Sequence, residues 1–249
     1  MKASTSWGIV ASWYDEMIRD KDSYQNKVIL PNLLRILRPQ KGQTILDIAC
    51  GQGFFSRAFA EAGAKVIGAD ISPELIALAK RQVPQAEFHT TPAHNLPFLK
   101  NASVDTATIV LALQNIENVH DVFKECARIL KPNGRLLLVL NHPCFRIPKQ
   151  SSWGFDEKEK VMYRRLDEYL SESKVKIQMH PGQNPNEQTL SFHRPLQFYF
   201  KSLGKHGFSV TRLEEWNSHK KSEPGPRAKA ENQARKEIPL FLFLGAVIK

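Results

Sequence analysis

The chain has 249 residues, of which 42% are hydrophobic and 24% are charged. This length and composition favour one α/β domain with insertions and exclude a disordered chain. Three cysteines without a CxxC pair, and an N-terminus without a signal-peptide core, predict a cytoplasmic protein; no apolar run is long enough to cross a membrane. The formal charge of +10 makes nucleic acid or an anionic substrate a candidate partner.

The first 141 residues predict helices alternating with strands. Apolar residues at helical spacing over 28–37 predict a helix that ends at the breaker cluster RPQKG. A second helix is predicted to begin with Ser72 as N-cap and Pro73 at its first position. The predicted strands are 44–49, 65–69, 86–89, 104–111 and 135–141, with further helices at 54–62 and 119–130 and a turn at KPNG. This alternation indicates βαβ units and a parallel sheet.

The alternation stops after Asn141. Residues 143–194 mix charges, aromatics and prolines without a clear period, and the segment is too long for a simple connector. It is therefore predicted to be a substrate cap or lid. A helix at 196–206 and strands in GFSVTRLEEW and IPLFLFLGAVI close the chain, with a polar stretch between the two strands. We expect a single domain over 1–249, with 1–40 as a helical cover.

A glycine turn with an acid before it, ILDIACGQGFF, points to a ligand. It lacks the third glycine of a dinucleotide fingerprint and the GK[ST] of a phosphate loop. Asp47 would repel a pyrophosphate but would attract an ammonium or sulfonium group. Asp70, at the end of the second strand, can accept both hydroxyls of a ribose. A nucleoside with a positive charge describes S-adenosylmethionine, although both acids could instead simply cap turns.

The segment ILDIACGQGFFSRAFAEAGAKVIGADIS resembles the first two motifs of the class I S-adenosylmethionine-dependent methyltransferases. AHNLPF, SVDTATIVLALQNI and RILKPNGRLLLVL are similar to later motifs of that family, in the right order. The resemblance implies a Rossmann-like, doubly wound sheet of seven strands, mostly parallel with an antiparallel final strand, plus a cap. It also implies S-adenosylmethionine as cofactor, and no metal.

Cofactor contacts are implied position by position. Asp47 would lie near the ammonium, Asp70 at the ribose and Leu111 beneath the sulfonium. Pro92 stands where many relatives have an acid for the adenine amino group, so the base would be recognised through backbone or His94. Tyr14 is predicted against the sulfonium or the substrate. The cofactor-binding candidates are Tyr14, Asp47, Ala49, Gly51, Gly53, Asp70, Ile71, Ala93, His94 and Leu111.

The acceptor should bind at the carboxyl ends of the strands, where open α/β sheets hold ligands. NHPCF follows the fifth strand and SFHRPL closes the irregular block, a combination that looks like a subgroup acting on small molecules. His142 and His193 are the predicted catalytic residues. The substrate candidates are Gln114, Asn115, Asn141, Arg146, Trp153 and Arg194.

The sequence thus predicts methyl transfer to an oxygen, nitrogen or carbon atom of a small molecule. A nucleic-acid methyltransferase is the main alternative, motivated by the charge and the basic stretch 217–237. Against it, the fourth strand ends in LQNI rather than in the Asp/Asn-Pro-Pro-aromatic of enzymes that methylate exocyclic amines of bases. A binding module without catalysis is the third reading. The oligomeric state stays open.

Overall fold

The computed structural model describes Trp7, Met17, Ile18 and residues 20–180 and 184–249, without the side chains of 180 and 184–187. Tyr14, which the sequence predicts to contact the cofactor, lies outside the described residues. Of the predicted helical cover over residues 1–40, residues 1–6, 8–16 and 19 also lie outside the described residues.

A seven-stranded sheet forms the centre of the molecule, in the order β3-β2-β1-β4-β5-β11-β10. Its strands are β1 (Thr44–Ile48), β2 (Lys65–Asp70), β3 (Glu87–Thr90), β4 (Val104–Val110), β5 (Leu130–Asn141), β10 (Phe208–Trp216) and β11 (Phe241–Ile248). Strands β1 to β5 run parallel, and β11 is antiparallel to both β5 and β10. The predicted fold class is confirmed, including the antiparallel final strand.

Helices cover both faces of the sheet. They are α1 (Leu30–Leu37), which continues a π-helical turn at Gln25–Ile29, then α2 (Phe54–Glu61), α3 (Pro73–Gln82), α4 (Val119–Ile129), α5 (Leu196–Lys205) and α6 (Ala228–Glu237). The predicted start of α3 is confirmed, since the Ser72 hydroxyl accepts from the Leu75 N–H at 3.2 Å with Pro73 first in the helix. Two main apolar clusters lie on opposite sides of the sheet, one against α4 and α5 and the other against α1 and α2.

The sheet order reverses between β1 and β4, because the chain moves outward from β1 to β3 and then returns to β4. At such a switch point the connections leave in opposite directions, so a crevice opens beyond the carboxyl ends of the strands. The chain places its glycine turn there, directly after β1. Burial of all of Ile45–Ile48 makes the position of this turn rigid.

The irregular block 143–194 contains two β-hairpins that periodicity did not reveal. One pairs β6 (Ser151–Asp156) with β7 (Val161–Leu166), and the other pairs β8 (Ser173–His180) with β9 (Asn184–His193). The first hairpin alternates only between half-buried and exposed positions. With no fully buried face, its strands lack the contrast by which a half-buried strand is recognised.

One helix was missed by the sequence analysis, and one predicted turn was wrong. The polar stretch after β10 contains helix α6, which buries only Ala234 and therefore has no apolar stripe. The KPNG segment is part of β5, where Leu130 pairs with Val104 before the register shifts. Among the described residues, no helix is long and apolar enough to cross a membrane.

Candidate active site

A cleft of about 310 Å³ opens at the switch point, beyond the carboxyl ends of β1, β2 and β4. Nine of the residues predicted to contact cofactor or substrate line this cleft: Asp47, Ala49, Gly51, Asp70, Ile71, Ala93, His94, Leu111 and Asn115. The volume falls at the lower end of the range of small-molecule sites. Gly53 was predicted with them but does not line the cleft.

The turn between β1 and α2 has an unusual, left-handed backbone. Ala49, Gly51 and Gly53 all have positive φ angles, of 55°, 57° and 85°. A side chain at Gly53 would lie 3.3 Å from Ala79 and Val83, so this glycine permits close packing of α2 against α3. Gly53 thus acts on packing, whereas Gly51 faces the cleft through its backbone.

Asp70 connects the turn to β2. Its Oδ2 accepts the Gly51 N–H and its Oδ1 accepts the Ser72 N–H, both at 2.9 Å. Each carboxylate oxygen retains a second lone pair for a ligand in the cleft. Burial raises the pKa of Asp70, and the backbone N–H groups oppose that rise. One carboxylate therefore holds the glycine turn and also faces the cleft.

Asp47 is almost fully buried at the end of β1. It accepts the Ser56 hydroxyl at 2.6 Å and the Thr108 hydroxyl at 3.2 Å. Burial raises its pKa to about 6, the two hydroxyl donors oppose the rise, and the charge of Asp70 adds to it. An ionised carboxylate with no cationic partner among the described residues is costly at this depth, and a bound cation would relieve that cost.

This environment predicts a pH dependence of ligand binding. The raised pKa means that the folded protein holds the Asp47 proton more tightly than the unfolded chain, so stability conferred by that proton is lost as pH rises from about 4 to about 6. A ligand carrying an ammonium prefers the ionised form. We expect the dissociation constant of S-adenosylhomocysteine, measured by calorimetry, to be about tenfold higher at pH 5 than at pH 7.

Asp47→Asn is the matched control, because it retains an oxygen for a hydroxyl donor but cannot ionise. It should bind more weakly at pH 7 and show a flatter profile, with Asp70 left as the titrating acid. An unchanged pH profile in this variant would mean that Asp47 does not face the ammonium.

Several residues of the cleft carried no predicted role. The Gln52 side chain is buried, and its Nε2 has no hydrogen-bond partner among the described residues. A buried amide donor without a partner fits a ligand with an acceptor group, such as an amino-acid carboxylate. Together with two carboxylates, the lining therefore suits an amino-acid-bearing nucleoside. Only its position inside the glycine turn could have singled out Gln52.

The two predicted catalytic histidines do not line the cleft. His142 is buried beyond β5, where its Nε2 lies 2.7 Å from Glu215 Oε1 and its Nδ1 accepts the Cys144 N–H. Both ring nitrogens are thus occupied, and burial lowers the pKa of His142 although Glu215 opposes this. His193 Nε2 contacts the Tyr169 carbonyl at 2.7 Å. Catalysis by these two histidines therefore stays a prediction that their position away from the cleft does not support.

Two predicted substrate residues also support the frame of the cleft rather than lining it. Arg194 is buried and donates to the carbonyls of Leu113, Ile116 and Glu117. Gln114 donates to the Leu111 carbonyl at 2.5 Å. Asn115 does line the cleft, and its amide donates to the Leu190 carbonyl of β9. The second hairpin is thereby fixed at the rim.

The remaining predicted substrate residues lie elsewhere. Arg146 and Trp153 line a second, smaller pocket. Asn141 accepts from Arg146 Nη1 at 2.8 Å and lines neither pocket. The structure therefore divides the predicted acceptor site into a rim residue of the main cleft and a separate group near the end of β5.

A sheet with this strand order, with one acid near the end of β1 and another at the end of β2 around a glycine turn, is typical of the class I S-adenosylmethionine-dependent methyltransferases. Residues 46–138 match the family model described as a methyltransferase domain. Over these residues the chain is similar to the S-adenosylmethionine-dependent methyltransferases, a family in which S-adenosylmethionine is the methyl donor.

Relatives agree with this assignment. The crystal structure of an S-adenosylmethionine dependent methyltransferase from Mesorhizobium loti superposes with a TM-score of 0.71 at 26% identity, over 87% of this chain and 96% of that one. Demethylmenaquinone methyltransferase of Paenarthrobacter aurescens is 38% identical over 103 residues, or 41% of this chain. That of Renibacterium salmoninarum is 36% identical over 105 residues, or 42%. The matches span 40% and 44% of these two curated relatives.

Proposed function

We propose that the chain transfers the methyl group of S-adenosylmethionine to a small-molecule acceptor. The observation that carries this proposal is the pair of buried acids, Asp47 and Asp70, on either side of a turn whose left-handed backbone keeps the cleft open. S-adenosylmethionine supplies an electrophilic methyl on a sulfonium. The residues of the chain supply its orientation.

In this proposal the two ends of the cofactor bind different groups. Asp47 and the Gln52 amide face the charged amino-acid end, and Asp70 accepts the ribose hydroxyls through its free lone pairs. Thr91, Ala93 and His94 lie on the side of the cleft beyond β3, where an adenine would follow the ribose. Leu111, with a φ of 53° directly after β4, presents backbone near the reacting centre.

Catalysis by positioning suits this cleft. Near-attack geometry supplies about 7–11 kcal/mol of barrier reduction, whereas a general base adds about 10²–10⁴-fold. The rim acid Glu117 pairs with Lys174 of β8 at 2.8 Å, so it ties the second hairpin to the cleft. No dedicated base is needed for the proposed reaction, and the acceptor atom is left open among oxygen, nitrogen and carbon.

A small acceptor is favoured over nucleic acid by how the basic stretch after β10 is used. Three of its six lysines and arginines are paired with carboxylates: Lys220 with Asp22, Arg227 with Glu157 and Arg235 with Glu231. Cations that are already paired with carboxylates gain less from a phosphate backbone. The curated relatives named demethylmenaquinone methyltransferase act on a small molecule, but the family model ends at residue 138, before both hairpins. Demethylmenaquinone is therefore only one of several small molecules to test as the methyl acceptor.

The test measures methyl transfer from labelled S-adenosylmethionine to RNA and to small acceptors, demethylmenaquinone included, across a salt series. Product formation on a small molecule with weak salt dependence is the expected result. Methylation or binding of RNA that weakens steeply with salt would favour the nucleic-acid alternative. Absence of any heat with S-adenosylhomocysteine would contradict the proposed function altogether.

A further inference from the structure

A second pocket, of about 220 Å³, lies beside the end of β5 and the start of β11. These strands are antiparallel, with Asn141 paired to Phe241, so the start of β11 lies at the same edge of the sheet as the active-site cleft. Its polar lining comes from three parts of the chain: Tyr24 before α1, Arg146 after β5 and Arg164 of β7. Phe145, Trp153 and residues 238–240 complete it.

Among the described residues, the two guanidinium groups of this pocket donate only to neutral groups. Arg146 donates to the Asn141 amide oxygen, and Arg164 donates to the Phe145 carbonyl at 2.8 Å and the Ser151 hydroxyl at 2.7 Å. Most other arginines with described contacts have a carboxylate partner, as Arg35 has in Glu214. Within the described part of the chain, neither Arg146 nor Arg164 forms an ion pair.

The two charges also act on each other. Arg146 keeps an exposed surface, but desolvation by the surrounding protein lowers its pKa, Tyr24 opposes this shift, and the charge of Arg164 lowers the pKa further. Aromatic rings hold both guanidinium planes: Arg164 lies 5.1 Å from the Trp153 ring centre and Arg146 lies 5.7 Å from that of Phe241. With no carboxylate partner for either group among the described residues, two like charges that line one pocket repel each other, and an oxyanion between them would reduce that repulsion.

We propose that this arginine pocket, defined by Tyr24, Arg146, Trp153 and Arg164, binds a carboxylate or phosphate group of the methyl acceptor. Guanidinium groups bind these oxyanions through paired N–H bonds, and the aromatic walls suit an apolar body attached to the anion. That the bound molecule is the methyl acceptor rests on the proposed function. Binding of the oxyanion itself stands without it.

The position of the pocket fits an anchor for the acceptor. Strand β4 ends at the cleft, and the last residue of β5, Asn141, accepts a hydrogen bond from Arg146 of the arginine pocket. The two strands are parallel neighbours. Adjacent strands lie about 5 Å apart. A small molecule held by its anion in the pocket can therefore extend toward the methyl group along the same edge of the sheet.

The test uses the full chain saturated with S-adenosylhomocysteine, titrated with inorganic phosphate and separately with benzoate at constant ionic strength. The readout is the NMR signal of the Trp153 indole N–H, assigned with Trp153→Phe. Saturable binding of either anion is expected, and Arg146→Gln and Arg164→Gln should each weaken it at least tenfold. Phosphate alone would indicate a phosphorylated acceptor, and benzoate alone an acid.

Arg165→Gln is the matched control, since Arg165 follows on the same strand, is exposed and pairs with Asp167. It should leave anion binding unchanged, and all variants should bind S-adenosylhomocysteine as the parent does. If either glutamine variant is unstable, Arg164→Lys is used in addition. This variant keeps the positive charge and should therefore retain part of the anion binding. No saturable shift with either anion, or equal binding by the glutamine variants, would overturn the proposal. Failure to bind S-adenosylhomocysteine would instead count against the proposed function.

Discussion

Replacing Asp70 with alanine is expected to raise the dissociation constant of S-adenosylhomocysteine at least 100-fold, which corresponds to about 2.7 kcal/mol. Two ribose hydroxyls would lose a charged acceptor, at about 1.5–3 kcal/mol for each hydrogen bond. The Gly51 N–H would lose its partner as well, so the turn that shapes the cleft would loosen. Calorimetry on the folded variant measures this loss.

Asp105→Ala provides a matched control at the opposite edge of the sheet. The Asp105 carboxylate also accepts a backbone N–H, that of Thr44 at 2.8 Å, and it pairs with Lys131. Its removal should lower stability but leave the affinity for S-adenosylhomocysteine unchanged. Equal losses of affinity in Asp70→Ala and Asp105→Ala would show that Asp70 acts through stability alone, and the ribose assignment would be abandoned.

The central sheet and its cleft were predictable because their signals are local. Strands β1 and β2 are mostly apolar runs bounded by turns, and the acids at 47 and 70 lie near the carboxyl ends of these strands, which must meet at one edge of the sheet. The turn at 49–53 has positive φ angles, and its glycines predict them because glycine adopts such angles without steric cost. For the two acids and the glycine turn, the place in the sequence relative to the strands was therefore enough to predict that they line the cleft.

The contacts of His142 and Arg194 were not predictable in this way, because their partners are distant in sequence. His142 contacts Glu215, 73 residues away, and Arg194 contacts Leu113, 81 residues away. For a charged or titratable residue beside a predicted site, the sequence pattern is the same whether the side chain contacts the ligand or hydrogen-bonds to the surrounding backbone. The difference lies in long-range hydrogen bonds, which leave no local pattern.

Arg194 has the largest expected effect on stability. Its guanidinium donates to three backbone carbonyls in the segment after β4 and lies between the rings of Phe192 and Phe198, at 5.0 and 5.2 Å. Only 5% of the residue is exposed. Arg194→Met would leave those carbonyls without their donor, and we expect a loss of about 3–5 kcal/mol in the free energy of unfolding, measured by denaturant titration.

Arg57→Met is the comparison, because Arg57 is an exposed arginine on α2 that donates to Gln82; it should change stability by less than about 0.5 kcal/mol. Arg194→Lys should recover part of the loss, since an ammonium reaches fewer carbonyls than a guanidinium. Two of the carbonyls belong to Ile116 and Glu117, which line the cleft, so Arg194→Met should also weaken binding of S-adenosylhomocysteine. A variant that keeps full stability and cofactor affinity but loses turnover would instead return Arg194 to the acceptor site, as the sequence predicts.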